Sequence, residues 1–450
     1  AVVAAPRTAA EGLIEAAKLG GDVSYLMVER VTGKVLAERN SGRPMPPAST
    51  LKAITALYAL DRLGPDHRFA TRLLATGPVA GGRVAGDLIL AGGGDPTLST
   101  DDLGDMAAAL AAAGVRSVEG RFLVWAGALP YIAQIAGDQP VWVGYNPAVS
   151  GLNLNFNRVN FVWQKVEGNL HLGFDARAER FAPVVSMAKM QVVERDLPVF
   201  TYATARQEER WTVAAKALNK NGSRWLPVRR PDLYAGDVFR TLASAQGIRL
   251  PAVEVATTLP AATALVTHQS QPLRGLLRDM LKFSTNMTAE AIGMAASARV
   301  GATSHAQSAL AMADWLQERT GIRGAKFVDH SGLGGAARIS AAELAVALER
   351  LGPAAGLPAI LKEIRIKEAD LAGGRLPRKV MAKTGTLNFV SGLAGYLITA
   401  DGQERTFVIL AGDTERRDRI PEGEREAPPG MSAWIKRARR LQAQLLAGWS

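Results

Sequence analysis

The chain has 450 residues, of which 48% are hydrophobic, with a formal net charge of +11 and no cysteine. This length favours two or three domains, and the hydrophobic content excludes a disordered chain. The lack of cysteine excludes disulfide bonds, thiol catalysis and cysteine-based metal sites. The positive charge favours anionic surroundings such as cell-wall polymer, anionic lipid or nucleic acid.

The sequence predicts no integral membrane segment, because no apolar run approaches the roughly 18–20 residues needed to cross a bilayer. The chain begins with Ala1 rather than methionine. This fits an exported, periplasmic chain whose signal peptide has been removed, and equally a shortened chain. The sequence carries no signal for an oligomeric state.

The N-terminal part of the chain predicts a hairpin followed by a helix. Residues Val23–Asn40 alternate apolar and polar side chains around a Thr-Gly-Lys turn, which is typical of a β-hairpin. In the segment Pro46–Leu60, apolar residues recur at three-residue spacing after two prolines. Serine is a favoured N-cap, so this helix is expected to begin at or near Ser49.

The middle of the chain predicts mostly short strands broken by glycines, with Gly151–Trp163 as the clearest alternating strand. Helical patterns return at Leu273–Ala298 and Ser340–Leu351. Two further strands and a C-terminal helix complete the chain. The basic segment Lys436–Trp449 predicts an amphipathic helix with a solvated face, and contact with a membrane surface is the less favoured alternative.

These elements predict an α/β (α+β) protein in which both chain ends form one domain and a mostly β region is inserted between them. The junctions are expected near residues 65 and 263, so that residues 1–65 and 264–450 form the outer domain. The inserted region, residues 66–263, is expected to contain two small domains. One comprises about 66–97 together with 165–263, and the other comprises 98–164.

A serine and a lysine at the start of the first long helix are candidates for catalysis. Residues three apart lie on one helical face, so the Ser49 hydroxyl and the Lys52 amine can meet. The five histidines lie in no recognisable triad context. Lysine can replace histidine as the base only if burial or a nearby positive charge lowers its pKa. The structural alternative is an N-cap serine followed by an exposed lysine.

Two later segments supply groups that such a site would need. Ser284 and Asn286 place a hydroxyl and an amide two positions apart within a predicted helix. The segment around Lys383 predicts an edge strand, and Lys383 supplies a second cation. Thr384 and Thr386 share one face of this strand, and the glycine between them would let a substrate backbone approach closely.

Together the three segments form the set S-x-x-K, S-x-N and K-T-G, which is the signature of penicillin-recognising serine enzymes. The long interval between the first two motifs is similar to that of the class C low-molecular-mass penicillin-binding proteins, the D-alanyl-D-alanine carboxypeptidase/endopeptidase family. Ala91–Ser99 resembles the family's Gly-rich turn, Asn153–Asn157 resembles its following strand, and Val328–Ser340 resembles its loop beside the active site.

The resemblance implies a penicillin-binding/β-lactamase-like transpeptidase domain, an antiparallel sheet flanked by helices, with a large inserted region. It implies a serine-type D-Ala-D-Ala carboxypeptidase or D,D-endopeptidase that acts on peptidoglycan stem peptides through an acyl-enzyme and is inhibited by β-lactams. No metal or cofactor is implied. The implied catalytic residues are Ser49, Lys52, Ser284, Asn286 and Lys383. The implied substrate-binding residues are Leu333, Thr384, Gly385 and Thr386, with backbone N–H groups of Ser49 and Thr386 holding the oxyanion.

The sequence departs from the family pattern in two places. Thr285 replaces the usual aspartate between the serine and the asparagine of the second motif. Gly334-Gly335 follow Leu333 where Ser-Arg is common, which leaves open the side-chain preference for the stem peptide and whether Arg338 substitutes. Asp329 and His330 are interpreted as loop-shaping residues rather than as a metal pair.

Three alternatives remain open from the sequence. A β-lactam hydrolase would use the same motifs but needs a base for the deacylating water, and no candidate is identified. A β-lactam-binding sensor would be acylated without turnover. A basic module for nucleic acid is supported only by the net charge. Covalent labelling by a fluorescent penicillin would separate the first two from the third.

Overall fold

The computed structural model describes residues 9–367 and 374–450. The helices in these residues are α1 Ala9–Ala17, α2 Leu51–Leu63, α3 Thr100–Ala112, α4 Pro231–Ala245, α5 Leu273–Phe283, α6 Asn286–Ala298, α7 His305–Thr320, α8 Ala341–Leu351, α9 Thr414–Asp418 and α10 Met431–Gly448. The strands are β1 Asp22–Glu29, β2 Val35–Arg39, β3 Pro44–Met45, β4 Ala70–Ala75, β5 Val79–Ala80, β6 Arg83–Val84, β7 Leu88–Ala91, β8 Ser117–Val118, β9 Phe122–Trp125, β10 Arg158–Val166, β11 Asn169–Asp175, β12 Ala188–Val193, β13 Phe200–Thr204, β14 Glu209–Ala214, β15 Gly222–Pro227, β16 Val253–Ala256, β17 Thr263–Gln269, β18 Ile339–Ser340, β19 Lys362–Glu363, β20 Lys379–Leu387, β21 Val390–Ile398 and β22 Glu404–Gly412. None of the described helices is long and apolar enough to span a membrane.

The chain divides into two compact units. The first unit comprises Ala1–Gly64, Leu277–Ser284 and Ala306–Ser450, and the second comprises Pro65–Leu276 and Thr285–His305. The second unit therefore includes a helical segment, 285–305, that the sequence assigned to the outer domain. The division into domains at residues 65 and 263, and the two smaller domains within the inserted region, stay predictions.

The first unit is built on a six-stranded sheet in the order β19-β20-β21-β22-β1-β2. Every neighbouring pair in it is antiparallel. The hairpin β1–β2 and the hairpin β21–β22 confirm the strands predicted at the two ends of the chain. Because β1 pairs with β22 along its whole length, the two ends of the sequence form one sheet.

Helices cover both faces of this sheet. On one face, Trp434 and Leu441 of α10 share a buried core with Leu393 of β21 and Phe407 of β22. On the other face, Tyr396 of β21 donates its hydroxyl hydrogen to the Leu348 carbonyl of α8 at 2.8 Å. Successive side chains of a strand point to opposite faces, so β21 anchors both helices. This arrangement confirms the predicted antiparallel sheet flanked by helices.

The second unit contains a five-stranded sheet in the order β16-β9-β7-β4-β17 and three smaller three-stranded sheets. A hydrophobic core of this unit includes the buried aromatic residues Phe122, Phe161, Trp211 and Phe239 among many aliphatic ones. Helices α3, α4 and α6 belong to this unit as well. The strand-rich, glycine-broken pattern of the sequence therefore predicted the character of this part of the chain correctly.

The strand predicted at Gly151–Trp163 begins later, at Arg158, so the prediction is wrong for the first seven residues. Residues 155–157 instead form a short turn with positive φ values of 49°, 56° and 52°. The asparagine side chains stabilise it, because Asn157 Oδ1 accepts the Leu154 N–H at 2.9 Å and Asn153 Oδ1 accepts the Ser150 N–H at 3.0 Å. Asparagine tolerates left-handed φ and competes with the sheet for backbone groups.

The helical pattern at Leu273–Ala298 is interrupted in the structure. Helix α5 ends at Phe283, Ser284 has a φ of 59°, and α6 begins at Asn286. Ser284 therefore lies in a break between the two helices, and Asn286 is the first residue of α6. This corrects the prediction that both residues lie inside one helix. The hydrophobic pattern does not reveal this break, because apolar residues continue at helical spacing on both sides of it.

Candidate active site

The first predicted motif lies in a short 3₁₀ turn, Ala48–Thr50, directly before α2. Thr50 closes this turn, because its backbone N–H and its hydroxyl donate to the Pro47 carbonyl at 3.2 and 2.6 Å. The predicted N-cap role of Ser49 is wrong, since Thr50 is the residue before α2 and makes no side-chain cap. The Ser49 hydroxyl is half-buried and takes part in a different bond.

Lys52 meets Ser49 as predicted. Its side chain is 0% exposed, and its Nζ donates to Ser49 Oγ at 2.9 Å and to the Ser331 carbonyl at 2.8 Å. The alternative of an exposed lysine beside a capping serine is therefore excluded. A buried amine within hydrogen-bond distance of a hydroxyl has the geometry of a nucleophile and its base.

A second serine–lysine pair lies in the same unit. Lys383 on β20 is 1% exposed, and its Nζ donates to Ser284 Oγ at 2.9 Å and to the Thr384 carbonyl at 2.7 Å. Ser284 is held at the break between the two helices, where its backbone N–H donates to the Met280 carbonyl at 2.8 Å. The left-handed backbone of Ser284 thus places its hydroxyl on Lys383.

Electrostatics couple the two pairs. Burial lowers the pKa of Lys383 well below its usual range, and the positive charges of Lys52 and Lys362 lower it further. A charge that loses its hydration is unfavourable, and a like charge nearby adds to the effect. The arrangement therefore disfavours the ammonium form of Lys383, and an anion bound beside it would favour that form.

Strand β20 approaches the serine turn closely at Gly385. A Cβ atom at this position would lie 2.9 Å from the Pro47 carbonyl oxygen and 3.0 Å from the backbone nitrogens of Ser49 and Thr50. The glycine is thus required by the turn that carries the serine. The approach of a substrate backbone to this strand stays a prediction.

Thr384 and Thr386 share one exposed face of β20, as predicted. They lie opposite Leu393 and Ser391 of β21, on the face that is directed toward α10. Lys383 lies on the other face of the strand. The edge prediction needs one correction, because the two-residue strand β19 pairs with Met381 and Ala382 before the motif begins.

The loop 328–340, which the sequence placed beside the active site by resemblance, holds Lys52 in place. Thr55, one turn after Lys52, donates its hydroxyl hydrogen to the His330 carbonyl at 2.6 Å. The Asp329 carboxylate shapes the loop by accepting the backbone N–H groups of Gly332 and Gly334 at 2.7 and 2.6 Å. The predicted loop-shaping role of Asp329 is confirmed.

Gly332 is the point at which this loop touches the serine turn. Its φ is 76°, and a Cβ atom there would overlap the carbonyl oxygen of Ala48. The Gly-x-Gly pattern after Asp329 was the available sequence signal for a close backbone approach. Leu333 is buried beside Gly332, and its predicted contact with substrate stays a prediction.

The departure from the family pattern at Gly334-Gly335 has a structural cause. A Cβ atom on Gly334 would lie 2.8 Å from Val328 and 2.9 Å from the Asp329 carboxylate. Arg338 is engaged with the loop itself, since its Nη1 donates to the Gly335 and Ala337 carbonyls at 2.6 and 2.8 Å. The guanidinium therefore supports the loop backbone.

Asn286 belongs to the second unit. It opens α6, and its Nδ2 donates to the Tyr145 carbonyl at 2.9 Å. Its catalytic role stays a prediction. Within residues 9–367 and 374–450, no group of three or more His, Asp or Glu side chains is arranged to hold a metal ion.

Two serine–lysine pairs beside an antiparallel sheet flanked by helices are the arrangement of the penicillin-recognising serine enzymes. The chain belongs to the D-Ala-D-Ala carboxypeptidase 3 (S13) family, whose model matches residues 8–427. This confirms the predicted family, the fold class and the class of enzyme, a serine-type D-Ala-D-Ala carboxypeptidase.

Individual relatives agree with this assignment. The chain is 29% identical to a D-alanyl-D-alanine carboxypeptidase of Actinomadura sp. (strain R39), over 89% of this chain and 80% of that protein. It is 24% identical to the D-alanyl-D-alanine carboxypeptidase DacB of Haemophilus influenzae, over 86% of this chain and 85% of that protein. The crystal structure of penicillin binding protein 4 (dacB) from H. influenzae matches with a TM-score of 0.75 at 22% identity, over 90% of this chain and 93% of that one.

Proposed function

We propose that Ser49 is the nucleophile of a D,D-peptidase and attacks the carbonyl of the penultimate D-alanine of a peptidoglycan stem peptide. Lys52 takes the proton of the Ser49 hydroxyl as the new ester bond forms. The 2.9 Å bond between Lys52 Nζ and Ser49 Oγ is the observation that carries this proposal. Backbone N–H groups of Ser49 and Thr386 hold the oxyanion, where fixed dipoles stabilise developing charge best.

The second pair handles the leaving group. Ser284 passes a proton to the leaving amine, and Lys383 stabilises the charge that this transfer creates. The terminal carboxylate of the substrate binds near Lys383, Thr384 and Thr386. Burial and neighbouring cations lower the pKa of Lys383, and a carboxylate bound beside it would favour its protonated form. Binding of the terminal carboxylate is therefore linked to protonation of Lys383.

The remaining predicted residues have supporting roles in this proposal. Asn286 positions Lys52 and the substrate amide, Leu333 contacts the substrate beside the loop, and Gly385 keeps β20 against the serine turn. Water then releases the acyl group from Ser49. No step draws on a metal or a cofactor.

We further propose that the chain works outside the cytoplasm, in the periplasm or an equivalent exported location, where peptidoglycan is found. The family assignment and the net charge of +11 support this, since wall polymers are acidic. A β-lactam would mimic the D-Ala-D-Ala end and leave a slowly hydrolysed acyl group on Ser49. A crystal structure of the H. influenzae relative is a complex with a β-lactam.

A fluorescent penicillin tests the nucleophile. The wild-type chain should be labelled covalently, and mass spectrometry of the digest should place the adduct on Ser49. Ser49→Ala should abolish labelling and D-alanine release, whereas Ser284→Ala should retain slow labelling because its proton relay serves the leaving group. An adduct on another residue in Ser49→Ala would refute the assignment.

The same adduct separates the D,D-peptidase from its alternatives. Release of D-alanine from a defined muropeptide supports the peptidase. Rapid hydrolysis of the penicillin adduct would instead indicate a β-lactam hydrolase. A permanent adduct without any peptide turnover would indicate a sensor.

A further inference from the structure

A cavity of about 570 Å³ lies in the first unit beside the K-T-G strand. It is formed by β20, β21, α10 and the segment 364–367. Thr384 and Thr386 line it, on the face of β20 that is directed toward α10. The cavity therefore adjoins the residues proposed to bind the terminal carboxylate of the substrate.

Basic side chains dominate the lining of this cavity. The five that line it are Arg365, Lys367, Lys436, Arg439 and Arg440. No aspartate or glutamate of the described residues lines it. A cavity lined by this many basic side chains is suited to an anionic ligand.

The basic face of α10 is thereby explained. Residues three and four apart share a helical face, which groups Lys436, Arg439 and Arg440 on the cavity side. Arg437, between them in sequence, instead donates its Nε hydrogen to the Ala17 carbonyl at 3.0 Å. The cavity side of α10 therefore carries Lys436, Arg439 and Arg440, whereas Arg437 lies toward α1.

We propose that this cavity receives a second carboxylate on the leaving-group side of the substrate, beyond the terminal carboxylate held at Thr384 and Thr386. The proposal rests on the function proposed above and deepens it. A D-alanine leaving group carries one carboxylate, whereas the leaving strand of a D,D-cross-link continues into a peptide with further carboxylates. The cavity thus favours hydrolysis of cross-links over trimming of single stem peptides.

Two matched peptides test the proposal. They end in D-Ala-D-Glu and D-Ala-D-Gln, so that their leaving groups differ only in the side-chain charge. Each exposed ion pair is worth about a two- to fivefold factor. Two such pairs, to Lys436 and Arg439, should therefore raise kcat/KM for the D-Glu peptide above that for the D-Gln peptide by roughly 4- to 25-fold at low salt. The preference should fall as salt rises, because exposed charges are screened.

Variants of the cavity connect this preference to its cations. The double variant Lys436→Gln/Arg439→Gln should reduce the D-Glu to D-Gln ratio to about 1–3. Lys379→Gln is the matched control, because Lys379 is exposed on the same strand, β20, and does not line the cavity. It removes one positive charge as well and should leave the ratio at the wild-type value.

The outcomes distinguish this proposal from the proposed function. Suppose that penicillin labels Ser49 but the kcat/KM values for the D-Glu and D-Gln peptides are nearly equal. That result would overturn the cavity proposal and leave the proposed function intact. A kcat/KM ratio that the double variant does not change would do the same. If Ser49 is not labelled, the cavity proposal is tested instead by calorimetric titration of the wild-type protein with both peptides. Tighter binding of the D-Glu peptide, lost in the double variant, supports the cavity, and equal binding overturns it.

Discussion

Gly332 offers a sharp test of how the catalytic turn is held. In Gly332→Ala, the new Cβ would lie 2.5 Å from the carbonyl carbon of Ala48, whereas ordinary van der Waals contact begins at 3.4 Å. The carbonyl oxygen of Ala48 is nearer still, so the loop and the serine turn must separate by more than about 1 Å. Left-handed φ costs an alanine about 1–2 kcal/mol, and overpacking adds about 1–3 kcal/mol. The stability loss should thus reach about 2–5 kcal/mol.

The loss of activity should be larger than the stability loss implies. A misplacement of about 1 Å can lower a rate on the order of 100-fold, because Ser331, next to Gly332, holds Lys52 by its carbonyl oxygen. Stopped-flow acylation by a fluorescent penicillin measures the rate, and urea unfolding measures the stability.

Gly402→Ala is the matched control for Gly332→Ala. Gly402 has a φ of 90° in the β21–β22 turn, and no atom lies within 4 Å of a Cβ built there. It should show the cost of left-handed φ alone, about 1–2 kcal/mol, with a near-normal acylation rate. Equal acylation rates in the two variants would refute the idea that the contact of Gly332 with Ala48 positions the site.

Three further predictions concern the same unit. Lys383→Met should stabilise the fold near neutral pH, because it removes an amine that is buried beside Lys52 and Lys362. This advantage should shrink as pH rises toward the ordinary pKa of 10.5. The pKa of Lys383 is lower in the folded state than in the unfolded chain, so between these two values the unfolded chain binds more protons and the stability of the wild-type protein rises with pH. A stability advantage of Lys383→Met that grows with pH in urea unfolding would contradict this. Gly385→Ala should slow acylation about tenfold because β20 must move away from the serine turn, whereas Gly173→Ala, in a strand with open space around its Cβ, should not. Thr50→Val removes the 2.6 Å hydrogen bond from the Thr50 hydroxyl to the Pro47 carbonyl and should lower the free energy of unfolding by about 1 kcal/mol. It should also lower the acylation rate at a temperature where the protein remains folded. An unchanged rate would show that the Ser49 turn does not need this hydrogen bond.

The sequence predicted those parts of the site that depend on local spacing or on a recognised motif. Ser49 and Lys52 are one turn apart, so their contact follows from helix geometry alone. Lys383 and Ser284 were found through the motif set, and their 2.9 Å contact agrees with the roles expected of them. The alternation of Thr384 and Thr386 on one face followed from strand geometry in the same way.

Contacts made by backbone atoms across long sequence separations were not predictable. The Ser331 carbonyl that holds Lys52 comes from a residue far along the chain, and any residue type could supply it. The approach of Gly385 to the serine turn is a tertiary contact as well, and no local pattern predicted it. The strand prediction was wrong around Asn155, because hydrogen bonds from asparagine side chains to the backbone leave no trace in a hydrophobic pattern.

The pairing of β1 with β22 has a consequence for the time at which activity can appear. Strand β1 ends at Glu29, and its partner begins only at Glu404. During synthesis, residues 65–276 of the second unit are made long before that partner exists, and domains generally fold as units from the N-terminal side. Closing so long a loop is entropically unfavourable and slow. Strand β1 therefore lacks this partner until residues 404–412 have been made, so the sheet that carries Lys383 is completed only after the second unit has been synthesised.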